Sequence, residues 1–128
     1  MLTPVNPPEA NWPGLSQGML IRGGGLFVSG GHVGVDRAGN PVTSSTEDQI
    51  VAMFENLGRT LAAAGLTFAH VARATCFVRE FTPELLDTIK TVRKRYYDQS
   101  HPPASVMVQA GLYDPVFLAE IEVIAVVP

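Results

Sequence analysis

Two carboxylates stand in the middle of an otherwise apolar run, Phe117-Leu118-Ala119-Glu120-Ile121-Glu122-Val123-Ile124-Ala125-Val126-Val127. Side chains alternate between the two faces of a strand. Phe117, Ala119, Ile121, Val123, Ala125 and Val127 therefore share one face, and Leu118, Glu120, Glu122, Ile124 and Val126 the other. A carboxylate on such a face costs free energy unless it is paired, hydrogen-bonded or wet, so this pair looks into a polar site, a subunit seam or solvent. A second group is Ser29-Gly30-Gly31-His32. Paired glycines inside a strand mark a bulge or a close backbone approach, and a histidine beside them suits general acid–base work or a turn. Ser105, directly after Pro103-Ala104, offers a hydroxyl to a ligand or to a strand edge. Ser29, His32 and Asp36 have the composition of a hydrolytic triad, but on one unbulged strand Ser29 and His32 point apart. Gly23-Gly24-Gly25 lacks the Lys-Ser/Thr of a phosphate loop and reads as a turn.

The elements that must position these groups follow from periodicity and turn chemistry. The segment from Asn6 to Gly14, with Trp12 inside it, is turn-rich and irregular. Gln17 to Arg22 reads as a strand, the glycine triplet as a tight turn, and Leu26 to Ser29 as its hairpin partner. His32 to Val35 continues that strand. Thr46 and Gln49 read as a capping box opening a helix whose apolar stripe is Ile50, Met53, Phe54, Leu57, Leu61 and Ala64, with Gly65 as its stop. Val71 to Arg79 alternates, with Ala72, Ala74, Cys76 and Val78 on an apolar face and Arg73, Thr75, Phe77 and Arg79 on a polar one. Thr82-Pro83-Glu84 opens a second helix with the stripe Leu85, Leu86, Ile89, Val92 and Tyr96. After His101-Pro102-Pro103 come two C-terminal strands. The predicted fold class is α+β, one domain over residues 1–128, with a mixed six-stranded sheet and two helices on one face.

Composition narrows the functions. Only 16% of the residues are charged against 46% hydrophobic, so a small monomer would have little polar surface with which to cover itself. This favours a homo-oligomer in which other subunits cover the second sheet face. The net charge is −3 and the only basic run, Arg93-Lys94-Arg95, falls on the second helix and reads as a solvated face. Nucleic acid is a poor partner on these grounds. Cys76 is the only cysteine and reads as a small buried hydrophobe. A lone thiol, with no secretion signal and no apolar run near the ~20 residues of a membrane helix, leads us to expect a cytoplasmic protein without membrane partners. The sequence carries no metal-ligand spacing and calls for no cofactor.

Taken in order, Ser16-Gln17-Gly18, Leu26-Phe27-Val28-Ser29-Gly30-Gly31, Asp36 and Gly39, Asn56-Leu57, Leu61, Ala64-Gly65, Val71 to Val78, Pro103-Ala104 and Glu120 to Ala125 resemble the Rid family. These are the reactive-intermediate deaminases once labelled L-PSP endoribonucleases. The resemblance spans nearly the whole chain. It implies a chorismate-mutase-like fold and a homotrimer whose sheets face a central barrel. It also implies small-molecule clefts between subunits and metal-free hydrolysis of enamines and imines. By resemblance Glu120 is the catalytic group that positions water, and Leu15, Ser29, Gly30, Gly31, His32 and Ser105 occupy ligand-binding positions. Glu122 reads as structural or supporting.

Three of those positions depart from the family pattern. Ser105 stands where an arginine is expected, Leu15 where a tyrosine is, and His32 where a glutamine is in an ungapped alignment. Without a gap Gly30 fills the family's serine position, and with one Ser29-Gly30 becomes the family pair. Two classes stay open: a hydrolase deaminating an enamine- or imine-type metabolite, and a non-catalytic metabolite-binding trimer on the same scaffold. A third, ribonuclease or translation inhibitor, is opposed by the acidic net charge. Arg73 and Arg79 read as surface or seam pairs rather than as replacement anchors. Exchanging a guanidinium fork for one hydroxyl removes ~2–3 kcal/mol of carboxylate binding. We therefore expect this protein to accelerate keto-acid release from 2-aminoacrylate only weakly in a coupled dehydratase assay. Acceleration equal to that of an arginine-containing relative contradicts this.

Overall fold

The computed structural model describes residues 1–9 and 13–128; Ala10, Asn11 and Trp12, part of the stretch read as irregular, lie outside the described residues. The chain runs through β1 (Leu2–Val5), β2 (Gly18–Ile21), β3 (Gly25–Val28), β4 (His32–Val33), α1 (Thr46–Ala63), β5 (Val71–Val78), α2 (Pro83–Arg93), β6 (Ala104–Gln109) and β7 (Ala119–Val127). The sheet order is β3-β7-β5-β6, with β4 also on β7, making five strands. β5 and β6 are parallel, whereas β7 is antiparallel to all its neighbours. No described helix is long and apolar enough to cross a membrane.

Two expectations are corrected here. β2 does not form a hairpin with β3: it pairs with β1, a strand not read from the sequence, and the two make a separate ribbon. The main sheet consequently has five strands, not six. The glycine triplet carries the chain from one sheet to the other. Gly23 and Gly24 take positive φ (69° and 72°), and a Cβ at Gly24 would fall on the Val127 carbonyl oxygen. Gly25 can then enter the ladder opposite Val127.

Both helices cover one face of the sheet. Ile50, Met53, Phe54, Leu57 and Leu61 of α1 and Leu85, Ile89 and Val92 of α2 pack with Ala74, Cys76 and Val78 of β5 and Ile121, Val123 and Ala125 of β7. The alternation read for β5 is the one observed. Phe54 stacks on Tyr96 with ring centroids 4.9 Å apart and meets the edge of Tyr97, tying α1 to the chain beyond α2. No described helix covers the second sheet face, and Leu26, Val28, Val106 and Val108 are exposed on it.

The helix termini follow their capping residues. Thr82 accepts a hydrogen bond from Leu85 N, with Pro83 at the first helical position, as expected. Gly65, at φ +74°, closes α1 through bonds from its own amide to Ala62 O and from Leu66 N to Leu61 O. The expected capping box at Thr46 and Gln49 is displaced by one residue: Ser45 is the cap and accepts from Asp48 N. Gln49 is thereby released for another task. Its buried amide donates to Val42 O and Val116 O and accepts from Leu118 N, fixing the entry to β7 against α1.

Gln49→Leu keeps most of the volume but strands three main-chain groups. At about 1 kcal/mol or more per buried group left unsatisfied, we expect a loss of roughly 3 kcal/mol in chemical denaturation. A change below about 0.5 kcal/mol would show that these groups find other partners.

Candidate functional site

β3 and β4 lie along the same edge of β7, and the chain between them decides where the candidate residues point. Val28 pairs with Ile124 and His32 with Ile121. The three residues Ser29, Gly30 and Gly31 thus run opposite only two, Glu122 and Val123. This is a bulge with one extra residue. Ser29 stands in for the missing ladder: its amide donates to Val123 O (3.0 Å), and its hydroxyl accepts from Val123 N (2.8 Å) while donating to Gly30 O (2.8 Å). Ser29 is buried, and its hydroxyl proton is committed within the chain.

The extra residue brings His32 to the face of Ile121, under the helices. Nδ1 lies 2.9 Å from Gly30 O, to which it donates, and Nε2 shares a hydrogen bond of 2.7 Å with Thr60 Oγ1. Asn56, one turn earlier on α1, donates to Val33 O. Asn56 and Thr60 thereby dock α1 onto β4. Asp36 uses one carboxylate oxygen to accept from the amides of Ala38 and Asn40, ordering a turn. Ser29, His32 and Asp36 therefore form no triad.

Glu120 lies on the opposite, open face. A Cβ at Gly31 would fall on Glu120 Oε2, so the carboxylate rests directly over that glycine. Glu120 is half-buried, and its carboxylate has no hydrogen-bond or ion-pair partner among the described residues. It opens into a cleft of about 330 Å³ with Phe77, Ala110, Gly111, Leu112 and Tyr113. Glu122 faces the same side but a different hollow, with Val28, Arg73, Thr75 and Ile124. Arg79 belongs to neither. It donates to Phe117 O (2.8 Å), and also to Asp114 O and Leu112 O, clamping the loop that walls the Glu120 cleft.

Ser105 and Leu15 are elsewhere. Ser105 is in register with buried Ala74, which turns it toward α2, and it shares a cavity of about 670 Å³ with Leu15. Within one chain the candidates therefore fall into three places: Ser29 and His32 beneath α1, Gly31 and Glu120 on the open face, and Leu15 and Ser105 beside α2. Gly30 is exposed at the bulge. Cys76 is buried in the core, and burial pushes its thiol up to about 12, so it stays neutral and unreactive at physiological pH. Among the described residues no group of three or more His, Cys, Asp or Glu side chains is placed to hold a metal ion.

Sequence reasoning missed Arg93. The basic run reads as a solvated face, and Arg95 fits that description, pairing with Glu47 at the surface. Arg93, four residues after Ile89, falls on the buried stripe of α2 instead. That spacing was the signal available to find it.

A mixed sheet with both helices on one face and a partnerless glutamate on the other defines an α+β scaffold of the chorismate-mutase-like kind implied by the resemblance. Comparison with known proteins agrees. The family model described as Endoribonuclease L-PSP matches residues 8–127. Protein DfrA of Myxococcus xanthus is 32% identical over 120 residues, covering 93% of this chain and 88% of that protein. YyfB of Yersinia pestis, a protein of unknown function in the conserved Rid family, superposes with a TM-score of 0.88 at 26% identity over 98% of both chains. A structure from Thermotoga maritima described as a putative endoribonuclease has a TM-score of 0.73 at 26% identity, covering 88% of this chain and 86% of that one. The chain belongs to the Rid, or L-PSP endoribonuclease-like, family.

Two glycines permit a direct test of the packing around this site. A Cβ at Gly31 meets the mobile end of Glu120, whereas one at Gly34 meets the main-chain oxygen of Gln49. Neither has positive φ, so the difference is one of space alone. We expect Gly31→Ala to cost about 1 kcal/mol or less while displacing the carboxylate. Gly34→Ala should cost roughly 2–3 kcal/mol, since α1 must shift. Thermal denaturation giving the reverse order would show that the Glu120 side chain is the more rigidly held.

Proposed function

We propose that the protein is a hydrolase that deaminates an enamine- or imine-type metabolite in a cleft formed between two copies of a homotrimer, with Glu120 positioning the attacking water. The observation that carries this reading is the half-buried Glu120 carboxylate. It sits over Gly31, is open to a cleft, and has no protein partner among the described residues. Such a group gains its hydrogen bonds from water or ligand. The division of the candidates supports a cleft between copies, because one chain offers Gly31 with Glu120 on its open face and Leu15 with Ser105 on its other side. The exposed Leu26, Val28, Val106 and Val108 on the open face supply apolar area for association.

In the reaction proposed, an enamine first takes a proton at carbon from solvent and loses one from nitrogen to solvent, becoming the imine. Water then adds to the C=N carbon as its proton passes to the Glu120 carboxylate and the nitrogen takes one from solvent. Return of the Glu120 proton to that nitrogen lets ammonia leave with the C–N electron pair, while the carbinol oxygen loses its proton and the carbonyl product forms. The second reading, a trimer that binds a metabolite without turning it over, is favoured by one observation: Ser105 in place of the family's arginine.

The test uses imines generated in situ from a panel of amino acids by an amino-acid oxidase, with ammonia release as the readout and light scattering for assembly. We expect a trimer at micromolar concentration. Glu120→Gln should lower turnover on the order of 10²–10⁴-fold. Glu122→Gln should change it by less than about threefold, an effect too small for a proton-transfer role. Near-native turnover in Glu120→Gln, or a stable monomer, refutes the reading. Binding of ligand without turnover in the unmutated protein favours the second.

A further inference from the structure

The cavity beside α2 has a composition that the water-positioning role does not explain. Its walls are mostly apolar: Leu15, Phe81, Leu86, Val106 and Met107. Against them stand Lys90, Arg93 and Lys94, and no described Asp or Glu lines it. Arg93 is only 9% exposed, and its guanidinium has no hydrogen-bond or ion-pair partner among the described residues. No fully buried side-chain nitrogen or oxygen among the described residues lacks a partner, so the Arg93 guanidinium must reach the cavity surface. One of its nitrogens lies beside Gly14, another lining residue.

The neighbours of Arg93 do not neutralise it. Beside the cations Lys90 and Lys94 of the same cavity, the titratable groups that act on it are Tyr97 and Cys76. Burial raises both, the thiol to about 12 and the phenol further, so each is uncharged near neutrality. Burial also lowers Arg93 from its usual value, the direction in which an uncompensated cation moves. A buried charge is retained at low cost only where something answers it. A guanidinium fork is matched by a carboxylate in two parallel hydrogen bonds.

We propose that this cavity binds a small carboxylate with an apolar body, its charge held by Arg93 with Lys90 and Lys94 at the rim and Ser105 as a neutral donor. The volume, about 670 Å³, is in the range of sites that enclose a whole small molecule. The anion anchor of this chain then lies on α2 rather than at position 105. A three-carbon acid would leave the apolar walls empty, and the cavity selects longer, aryl- or alkyl-bearing acids. This deepens the function proposed above by naming the class of molecule the cleft holds, and it depends on that function only for the reaction that follows binding.

The experiment is calorimetric titration of the full-length protein with 4-phenylbutyrate and with its neutral amide, which share an apolar body and differ in charge. We expect the acid to bind at least tenfold more tightly than the amide. Arg93→Gln should reduce that preference to less than threefold. Lys90→Gln with Lys94→Gln, at exposed positions where folding is not at risk, should weaken the acid two- to fivefold and leave the amide unchanged. Equal binding of acid and amide, no binding of the acid at millimolar concentration, or a preference untouched by both sets of variants overturns the proposal. Charge preference without ammonia release from any imine upholds this site and refutes the hydrolase. Ammonia release that depends on Glu120, from acids and amides alike, does the reverse.

Discussion

Val123 exchanges two hydrogen bonds with Ser29, one through an amide and one through a hydroxyl. A strand interrupted beside the middle of a sheet leaves main-chain groups that must be satisfied without water. The serine hydroxyl does this where a regular ladder cannot, and so it permits three residues to pass two. The rest of the site follows from that permission. His32 turns inward to Thr60, β4 docks on α1 through Asn56, and Gly31 comes to lie beneath Glu120. The carboxylate keeps its place on the open face because no side chain from the bulge competes for it.

The two faces of the sheet carry different chemistry. The helix-covered face excludes water, and buried groups there are either apolar or fully bonded, as with Gln49 and Ser29. Arg93 is the exception, at the margin where α2 leaves the sheet and a cavity begins. The open face is partly apolar and carries Glu120, Glu122, Arg73 and Thr75. A single chain therefore presents one cluster of cations and one carboxylate cleft that share no lining residue. Neither alone resembles a complete active site.

Much of this was legible in the residues. The alternation of Val71 to Val78 and of Ala119 to Val127 places the core face and the open face correctly, because a half-buried strand enforces a period of two. Thr82-Pro83 and Gly65 mark helix ends because their local chemistry suffices for that task. What failed was non-local. Proximity in sequence pairs β2 with β3, while the ladder that β3 needs lies about a hundred residues away on β7. The glycines announced a bulge but not that His32 would be carried inward by it. Ser45 and Thr46 are both competent caps, and only the packing of Gln49 against Val116 and Leu118 decides between them. Arg93 was misread because a charged residue at a buried helical position looks, in a run of basic residues, like its solvated neighbours.

The loop from Leu112 to Leu118 is held by Arg79 and Gln49, and every bond they make to it is to main chain. Of the loop's own side chains, Asp114 adds a bond from Val116 N and Phe117 is buried with Tyr113 against its ring, whereas the Leu112 side chain makes no hydrogen bond among the described residues. Leu112 and Tyr113, which wall the Glu120 cleft, can be exchanged without loosening the fastening beneath them. The wall behaves as a fixed mount with an interchangeable surface. A scaffold built this way can acquire a new ligand by altering what the mount displays while its clamp and its carboxylate stay as they are.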